Sequence, residues 1–460
     1  MLFSSQAFLL LFLPLSLLAY YGFAKSYTVR ITVLTTVSLV FYGWWDPRFV
    51  PLLGGMILMT WFIIRLYARI RKAGVLVIGI GLNLAVLGLF KYANFFAENA
   101  LNAFGVEHQS WGIVLPLGIS FFTFQQVSYL VDCYRDRAPT YRLIEYAAFV
   151  SFFPQLIAGP IVRHNQLIPQ FSEPLWRDGL VEQVSRGIIL LTLGLIKKVF
   201  FADELAPIAD VGFVAVANGQ SIAFGSAWLT ALAYSLQLYF DFSAYSDMAI
   251  GLGAMFGLKL PLNFNAPYQA VNIRDFWRRW HITLSNFLRD YVYIPLGGSR
   301  GNLAQVYWAV MVTMLLCGLW HGAGWTFIAW GVLHGAAICS NRAWERIGRS
   351  LPAPGAWLLT MLFVIFGWVL FRADNFIVAQ SFFVAMSGVG GFDTGTLDWK
   401  DFSYVVVASV AAVIGPTSFT LSRRANLLKR RYAIAVACGL VLVTLRVGQG
   451  RGLEFLYFQF

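Results

Sequence analysis

Charge is what this chain has least of. Of its 460 residues only 12% are Asp, Glu, Lys or Arg, and just 22 carry a side-chain carboxylate; soluble domains average about 25% charged. That scarcity excludes a soluble enzyme with a solvated surface. The four cysteines, Cys133, Cys317, Cys339 and Cys438, show no CxxC or metal-type spacing, which excludes a disulfide framework and a zinc site. Polar linkers, low-complexity tracts and convincing internal repeats are missing as well, so one membrane domain over 1–460 is the economical reading. Histidine is rare, with five copies, and each one therefore needs an explanation.

What is abundant is hydrocarbon. The chain is 58% hydrophobic and 17% aromatic, with a mean hydropathy of +0.66. The apolar runs are long and continuous rather than short and alternating, which points to an all-α, polytopic helical membrane protein and not a β-barrel. Runs suited to spanning fall near 2–23, 29–45, 49–70, 73–90, 113–131, 186–201, 222–257, 303–320, 325–340, 356–371, 403–420 and 432–447, giving about 11–13 membrane helices. The first run has no basic n-region and no small-x-small cleavage site, so it reads as a retained helix. Residues 222–257 exceed one span and predict two short helices or one steeply tilted one. Pro154 and Gly159-Pro160 predict a broken or re-entrant segment over 146–162.

The net charge of +12 does not indicate nucleic acid. The basic residues cluster between apolar runs: Arg65-Arg69-Arg71-Lys72, Arg135-Arg137-Arg142, Arg342-Arg346-Arg349 and Arg423-Arg424-Lys429-Arg430-Arg431. That is the pattern of cytoplasmic loops facing anionic lipid. It puts the N-terminus and a loop at 91–112 on the outer side.

Residues 272–290 differ from the spans. Asn272 is a candidate N-cap, with Asp275 in the first turn. At helical spacing Phe276, Trp277, Trp280, Leu284, Phe287 and Leu288 share one arc, opposite Arg274, Asp275, Arg278, Ser285, Asn286 and Arg289, which predicts a single helix lying in the membrane interface. His281 falls at the edge of the apolar arc.

The chemistry-bearing candidates start with His321, in Gly318-Leu319-Trp320-His321-Gly322-Ala323-Gly324. An ionisable group between two apolar runs is a functional candidate, and a neutral imidazole is a competent base for a hydroxyl. The alternative is a structural histidine bonded to a neighbouring carbonyl. The run before it and the run after it predict a hairpin with His321 at the tip. For His281 the rival is a ring snorkelling to headgroups. Two histidines could also divide the work, one deprotonating an acceptor and the other polarising a thioester. Cys317 shares a helical face with His321 but reads as a packing residue. Asp241 and Asp247, six residues apart, do not share a face and read as structural or pocket-organising groups partnered by arginines or hydroxyls. His334 reads as packing near His321, and His108 and His164 have no informative context.

At these residues the chain resembles the membrane-bound O-acyltransferase family, and within it the branch serving bacterial alginate O-acetylation. The resemblance rests on Phe90-Lys91-Tyr92-Ala93-Asn94-Phe95, Leu115–Phe121, Phe153–Pro160, Gln237–Asp247, Asp275–Ser285, Gly318–Ala323 and the ending Phe455-Leu456-Tyr457-Phe458-Gln459-Phe460. It implies helices around a central tunnel, with His321 at the family's active-site histidine and His281 at its second position. It further implies Asp241, Asp247, Arg278, Arg279 and Trp320 as tunnel-lining or donor-binding residues, no metal and no bound cofactor, and acetyl-CoA as the donor. By the same resemblance the protein would sit in a bacterial inner membrane and serve an exopolysaccharide or peptidoglycan, working with an extracytoplasmic acetyltransferase and polysaccharide-synthesis machinery. A non-catalytic transporter and a synthase scaffold are the rival readings; neither explains the histidine pair.

Overall fold

The computed structural model describes residues 1–23, 26–106, 109–348, 351–395, 398–424, 427, 429–449 and 455–456; His108, Arg349 and 457–460 lie outside them. The described residues are helical and form no strands. The chain divides into two compact units, one of Met1–Leu193, Tyr245–Pro261 and Ser422–Gly450, the other of Gly194–Ala244, Leu262–Leu421 and Arg451–Phe460.

In the first unit, α1 (Tyr27–Trp45) starts where the Ser26 side chain accepts from the Val29 amide. It is followed by α2 (Val50–Ile70) and by the short α3 (Leu143–Ser151), and all three pack on one another. The break predicted over 146–162 is present: α3 ends at Ser151 and a single turn, Phe153–Leu156, follows. A broken helix exposes backbone groups that hydrocarbon cannot satisfy, and here protein supplies the partners. The Phe153 amide donates to Ser38 Oγ (3.2 Å) and Gln155 Nε2 donates to the Phe149 carbonyl (2.6 Å). Phe3, Phe8, Phe41 and Phe153 form the aromatic core beside this break.

The run at 222–257 is not two short helices but one uninterrupted helix, α4 (Phe224–Met255, 32 residues), roughly 48 Å long at 1.5 Å per residue. The predicted outer loop at 91–112 is helical in its first part, because one helical stretch continues from Ala73 to Asn102.

The interfacial helix expected over 272–290 is two helices: α5 (Ile273–Arg279) and α6 (Ile282–Leu288). Asn272 caps the first as predicted, its side chain accepting from the Asp275 amide (2.8 Å). Trp280 is extended and His281 is left-handed (φ 41°, ψ 54°), a conformation that costs a β-carbon-bearing residue energy. The predicted apolar arc is correct even so, for all six of its residues are buried.

The second unit also holds the hairpin of α7 (Leu303–His321) and α8 (Trp325–Arg346), followed by α9 (Ala353–Arg372). Asn302 and Gln305 cap α7 reciprocally. The two helices cross where Gly318 meets Gly331: a β-carbon on Gly318 would strike the Phe327 carbonyl, and one on Gly331 the Met314 carbonyl. Small residues allow such approach, and packing rather than water drives it in a membrane.

Five helical stretches among the described residues are long and apolar enough to cross a membrane: Pro47–Ile70, Ala73–Asn102, Leu303–His321, Ala353–Arg372 and Arg430–Gly448. Trp399–Val413 and Ser418–Arg424 reach that length and apolarity only together, across a 62° bend, as a broken span or a re-entrant pair. The protein is thus an all-α polytopic membrane protein. The other apolar runs of the sequence are helical as well, among them Tyr27–Trp45, Phe224–Met255 and Trp325–Arg346, but are shorter or less apolar than these.

Gly331→Leu is expected to force α7 and α8 apart and cost about 1–3 kcal/mol by overpacking. Thermal unfolding in detergent should register the loss, whereas Gly74→Leu, where a β-carbon meets open space, should unfold near wild type.

Candidate active site

His321 is the last residue of α7 and is 4% exposed. The chain turns immediately after it through extended Gly322, where a β-carbon would strike the Phe327 ring. The helix end places His321 where the carbonyl pole of α7 favours positive charge, the charge an imidazole acquires on taking a proton. Its ring lies edge-on to Trp330 of α8 (centroids 5.2 Å) and to Phe371 of α9 (5.3 Å). His334 lies beyond Trp330 (4.5 Å) and accepts from Trp277 Nε1 at 3.2 Å, the packing role its sequence position suggested.

His281 reaches the same place from the other side. Its ring is 0% exposed, not at the edge of an interfacial helix, because the left-handed turn between α5 and α6 points it inward. The Trp320 indole touches both histidines, with centroids 6.1 Å from His281 and 4.8 Å from His321. Phe242 of α4 packs on the far face of His281 (4.7 Å). Burial with no counter-charge pushes the His281 imidazole down to about 3, so the ring is neutral at physiological pH.

Its tautomer follows from Asn263. The Thr283 amide (3.3 Å) and Thr283 hydroxyl (2.8 Å) both donate to Asn263 Oδ1, so that oxygen is an acceptor. His281 Nδ1, 3.1 Å from the same oxygen, therefore carries the hydrogen and donates it. The Nε2 lone pair is left bare and buried, with no hydrogen-bond partner among the described residues. This disfavours the expected division of labour in which one of the histidines polarises a thioester, as far as His281 is concerned: Nε2 in this tautomer accepts and has no hydrogen to donate. Asn263 was missed at the sequence level. The signal available was an amide between two apolar residues, in Leu262-Asn263-Phe264.

The remaining candidates disperse. Asp241 is not partnered by arginine. Its carboxylate takes Lys198 Nζ (2.6 Å) and the Leu456 amide (2.8 Å), and Lys198 also binds Asp203 (2.8 Å). This buried ion cluster engages both oxygens of Asp241, an arrangement that holds structure. Lys198 was legible as a charge inside the run 186–201. Asp247, also buried, lies beyond the point where α4 passes into the first unit. Arg278 is exposed and Arg279 is clamped on Asp275 through Nε (3.0 Å to each oxygen); neither stands with the histidines. Cys317 is buried within α7. In the first unit His164 proves to be a buried structural group, one ring nitrogen against the Tyr141 hydroxyl (3.0 Å) and the other against Asp132 (3.1 Å), so neither nitrogen is left to act as a base.

A helical membrane protein with two buried histidines sharing one indole has close sequence relatives. A family model, "MBOAT, membrane-bound O-acyltransferase family", matches residues 65–388. The chain belongs to the membrane-bound O-acyltransferase family. A probable alginate O-acetylase AlgI from Azotobacter vinelandii is 46% identical over 426 residues, covering 89% of this chain and 83% of the relative. A peptidoglycan O-acetyltransferase from Helicobacter pylori is 41% identical over 427 residues, covering 85% and 80%. A teichoic acid D-alanyltransferase from Bacillus subtilis is 27% identical over 290 residues, 59% of this chain and 72% of the relative. The protein is a membrane O-acyltransferase.

Two outcomes follow. Asn263→Leu removes the acceptor that fixes the His281 tautomer and should lower acyl transfer on the order of ten- to a hundredfold, measured at matched membrane levels; Asn263→Asp, which keeps the acceptor, should retain more activity. Lys198→Met leaves two carboxylates buried without their cation and should destabilise the protein by about 3–5 kcal/mol, read as a lowered unfolding midpoint.

Proposed function

We propose that this protein takes an acetyl group from acetyl-CoA at the cytoplasmic side of a bacterial inner membrane and delivers it for O-acetylation of an alginate-like exopolysaccharide outside. One observation carries the reading: His321 at the tip of the α7–α8 hairpin and His281 at the α5–α6 break are buried on one indole, Trp320, in a chain 46% identical to a probable alginate O-acetylase.

His321 is the general base. It removes the proton of the acceptor hydroxyl as that oxygen bonds to the acetyl carbon. The tetrahedral intermediate collapses with cleavage of the carbon–sulfur bond, and the proton passes from the imidazolium to the departing thiolate. The products are an O-acetyl ester and free CoA thiol, and His321 is neutral again. The reacting hydroxyl gives its one hydrogen to His321, so the bare Nε2 of His281 accepts from a second donor group of the acceptor and orients it. Holding both reactants beside one buried base supplies proximity, and the apolar surroundings strengthen each hydrogen bond made to them. Residues 1–460 act as one membrane domain around a tunnel, and an extracytoplasmic acetyltransferase with the polysaccharide-synthesis machinery receives the acetyl group. The relative that acetylates peptidoglycan covers almost as much of the chain, which makes peptidoglycan the second acceptor to examine.

His321→Ala should lower transfer on the order of 10²–10⁴-fold. The measurement is base-releasable acetate on purified exopolysaccharide and, in parallel, on peptidoglycan, from deletion strains carrying wild-type or variant protein at equal membrane levels. Loss from exopolysaccharide alone supports the proposal, loss from peptidoglycan alone reassigns the acceptor, and unchanged acetate on both overturns the role of His321.

A further inference from the structure

The first unit carries a cavity of ≈ 370 Å³ between α1, α2 and α3, within the roughly 300–1,000 Å³ typical of small-ligand sites. Leu39 of α1, Gly54, Ile57 and Leu58 of α2, and Ile144 and Ala147 of α3 form its walls. It also contains two hydroxyls, Thr35 and Ser151, each donating to a carbonyl of its own helix, Ile31 (2.9 Å) and Ala147 (2.7 Å). The walls thus direct no hydrogen-bond donor at an occupant. A sugar, a nucleotide or a polar peptide placed there would lose its hydration without compensation, whereas a hydrocarbon chain would not. Leu58 is 52% exposed and Phe62, one turn on, is exposed as well, so the cavity opens through an apolar helix surface.

One end of this groove has a different chemistry. Leu143, which begins α3, directly follows exposed Arg142. One turn beyond Leu58, Trp61 Nε1 donates to the Tyr141 carbonyl (3.1 Å), and the exposed Arg65 guanidinium lies over the Trp61 ring (4.7 Å). Of the acids in this region, Glu145 is taken up by the Tyr27 hydroxyl (2.8 Å) and the Arg142 amide (3.0 Å), and Asp132 is buried against His164 (3.1 Å). Arg30 on α1 is likewise engaged, by the carbonyls of Phe171 and Glu173. Arg65 and Arg142 are therefore the cations presented outward at the mouth, next to Trp61 and Tyr141. Tryptophan and tyrosine with basic residues at the end of an apolar surface mark headgroup depth, and arginine matches phosphate geometry. From this end the apolar walls follow the nine residues of α3, roughly 13 Å at 1.5 Å per residue.

We propose that this groove binds one anionic phospholipid of the bilayer, an acyl chain lying between α1, α2 and α3 and the phosphate resting on Arg65 and Arg142. The occupant is a structural lipid, separate from the acyl donor and acceptor, and the site stands whether or not the acceptor assigned above is correct.

The test uses the full chain purified in mild detergent, with native mass spectrometry and thermal unfolding as readouts. The probes are phosphatidylglycerol, phosphatidylcholine with the same acyl chains, and glycerol phosphate. Wild type should retain one phosphatidylglycerol per chain and unfold at a higher temperature in its presence. Phosphatidylcholine should give a smaller shift and glycerol phosphate none. Gly54→Leu fills the groove from a position where a β-carbon meets open space; it should lose both the bound lipid and the shift while keeping the lipid-free midpoint. Ala147→Leu, from the facing helix, is an independent block should Gly54→Leu misfold. Arg65→Gln with Arg142→Gln should abolish the preference for phosphatidylglycerol over phosphatidylcholine. Undiminished lipid binding in both groove-filling variants, a shift produced by glycerol phosphate alone, or a hydrophobic polypeptide found in the groove in place of lipid would each overturn the proposal.

Discussion

The close crossing of α7 and α8 at Gly318 and Gly331 is the constraint on which the candidate site depends. Any side chain at either position would meet a carbonyl of the opposing helix, and the separation needed to relieve that clash would move the His321 ring off Trp330 and Phe371. In hydrocarbon no hydrophobic force drives such a pair together, so the contact rests on packing and on absent side chains. The hairpin is thus the device that carries an imidazole into an apolar interior.

A second constraint acts on His281. A continuous helix from 272 to 290 would keep this residue on the flank of an amphipathic rod. Breaking it at Trp280 and His281 costs backbone energy, because a left-handed conformation disfavours a β-carbon. Asn263 offsets that cost: its backbone carbonyl accepts the Ile282 amide (2.9 Å), and its side-chain oxygen gathers Thr283 and His281. The strain is therefore tied to a residue with a bare ring nitrogen, where a functional pressure can maintain it.

Buried charge elsewhere in the chain serves architecture. Lys198 holds Asp203 and Asp241 on one ammonium inside the second unit, and His164 bridges Asp132 and Tyr141 inside the first. These groups resemble catalytic sets by residue type alone. What separates them from His281 is satisfaction: His164 has a partner on each ring nitrogen and Asp241 one on each carboxylate oxygen, while His281 keeps a lone pair in reserve.

The helical membrane class, the hairpin around His321, the cap at Asn272 and the break near Pro154 were all legible in the sequence, because composition, 3.6-residue periodicity and proline or glycine placement act locally. The family was legible too, through blocks such as Gly318–Ala323. The tertiary structure alone decided that His281 is fully buried, that Asn263 sets its tautomer, that Trp320 is the ring both histidines share, and that Asp241 is taken up by Lys198. It also decided where apolar runs stay continuous, as in Phe224–Met255, and where they break, as after Ser151. The reason is range: periodicity reports which face of a segment is apolar, but not which distant segment covers it. A partner such as Asn263, eighteen residues from His281, or Lys198, forty-three from Asp241, is chosen by packing in three dimensions, where burial makes an unsatisfied polar group costly.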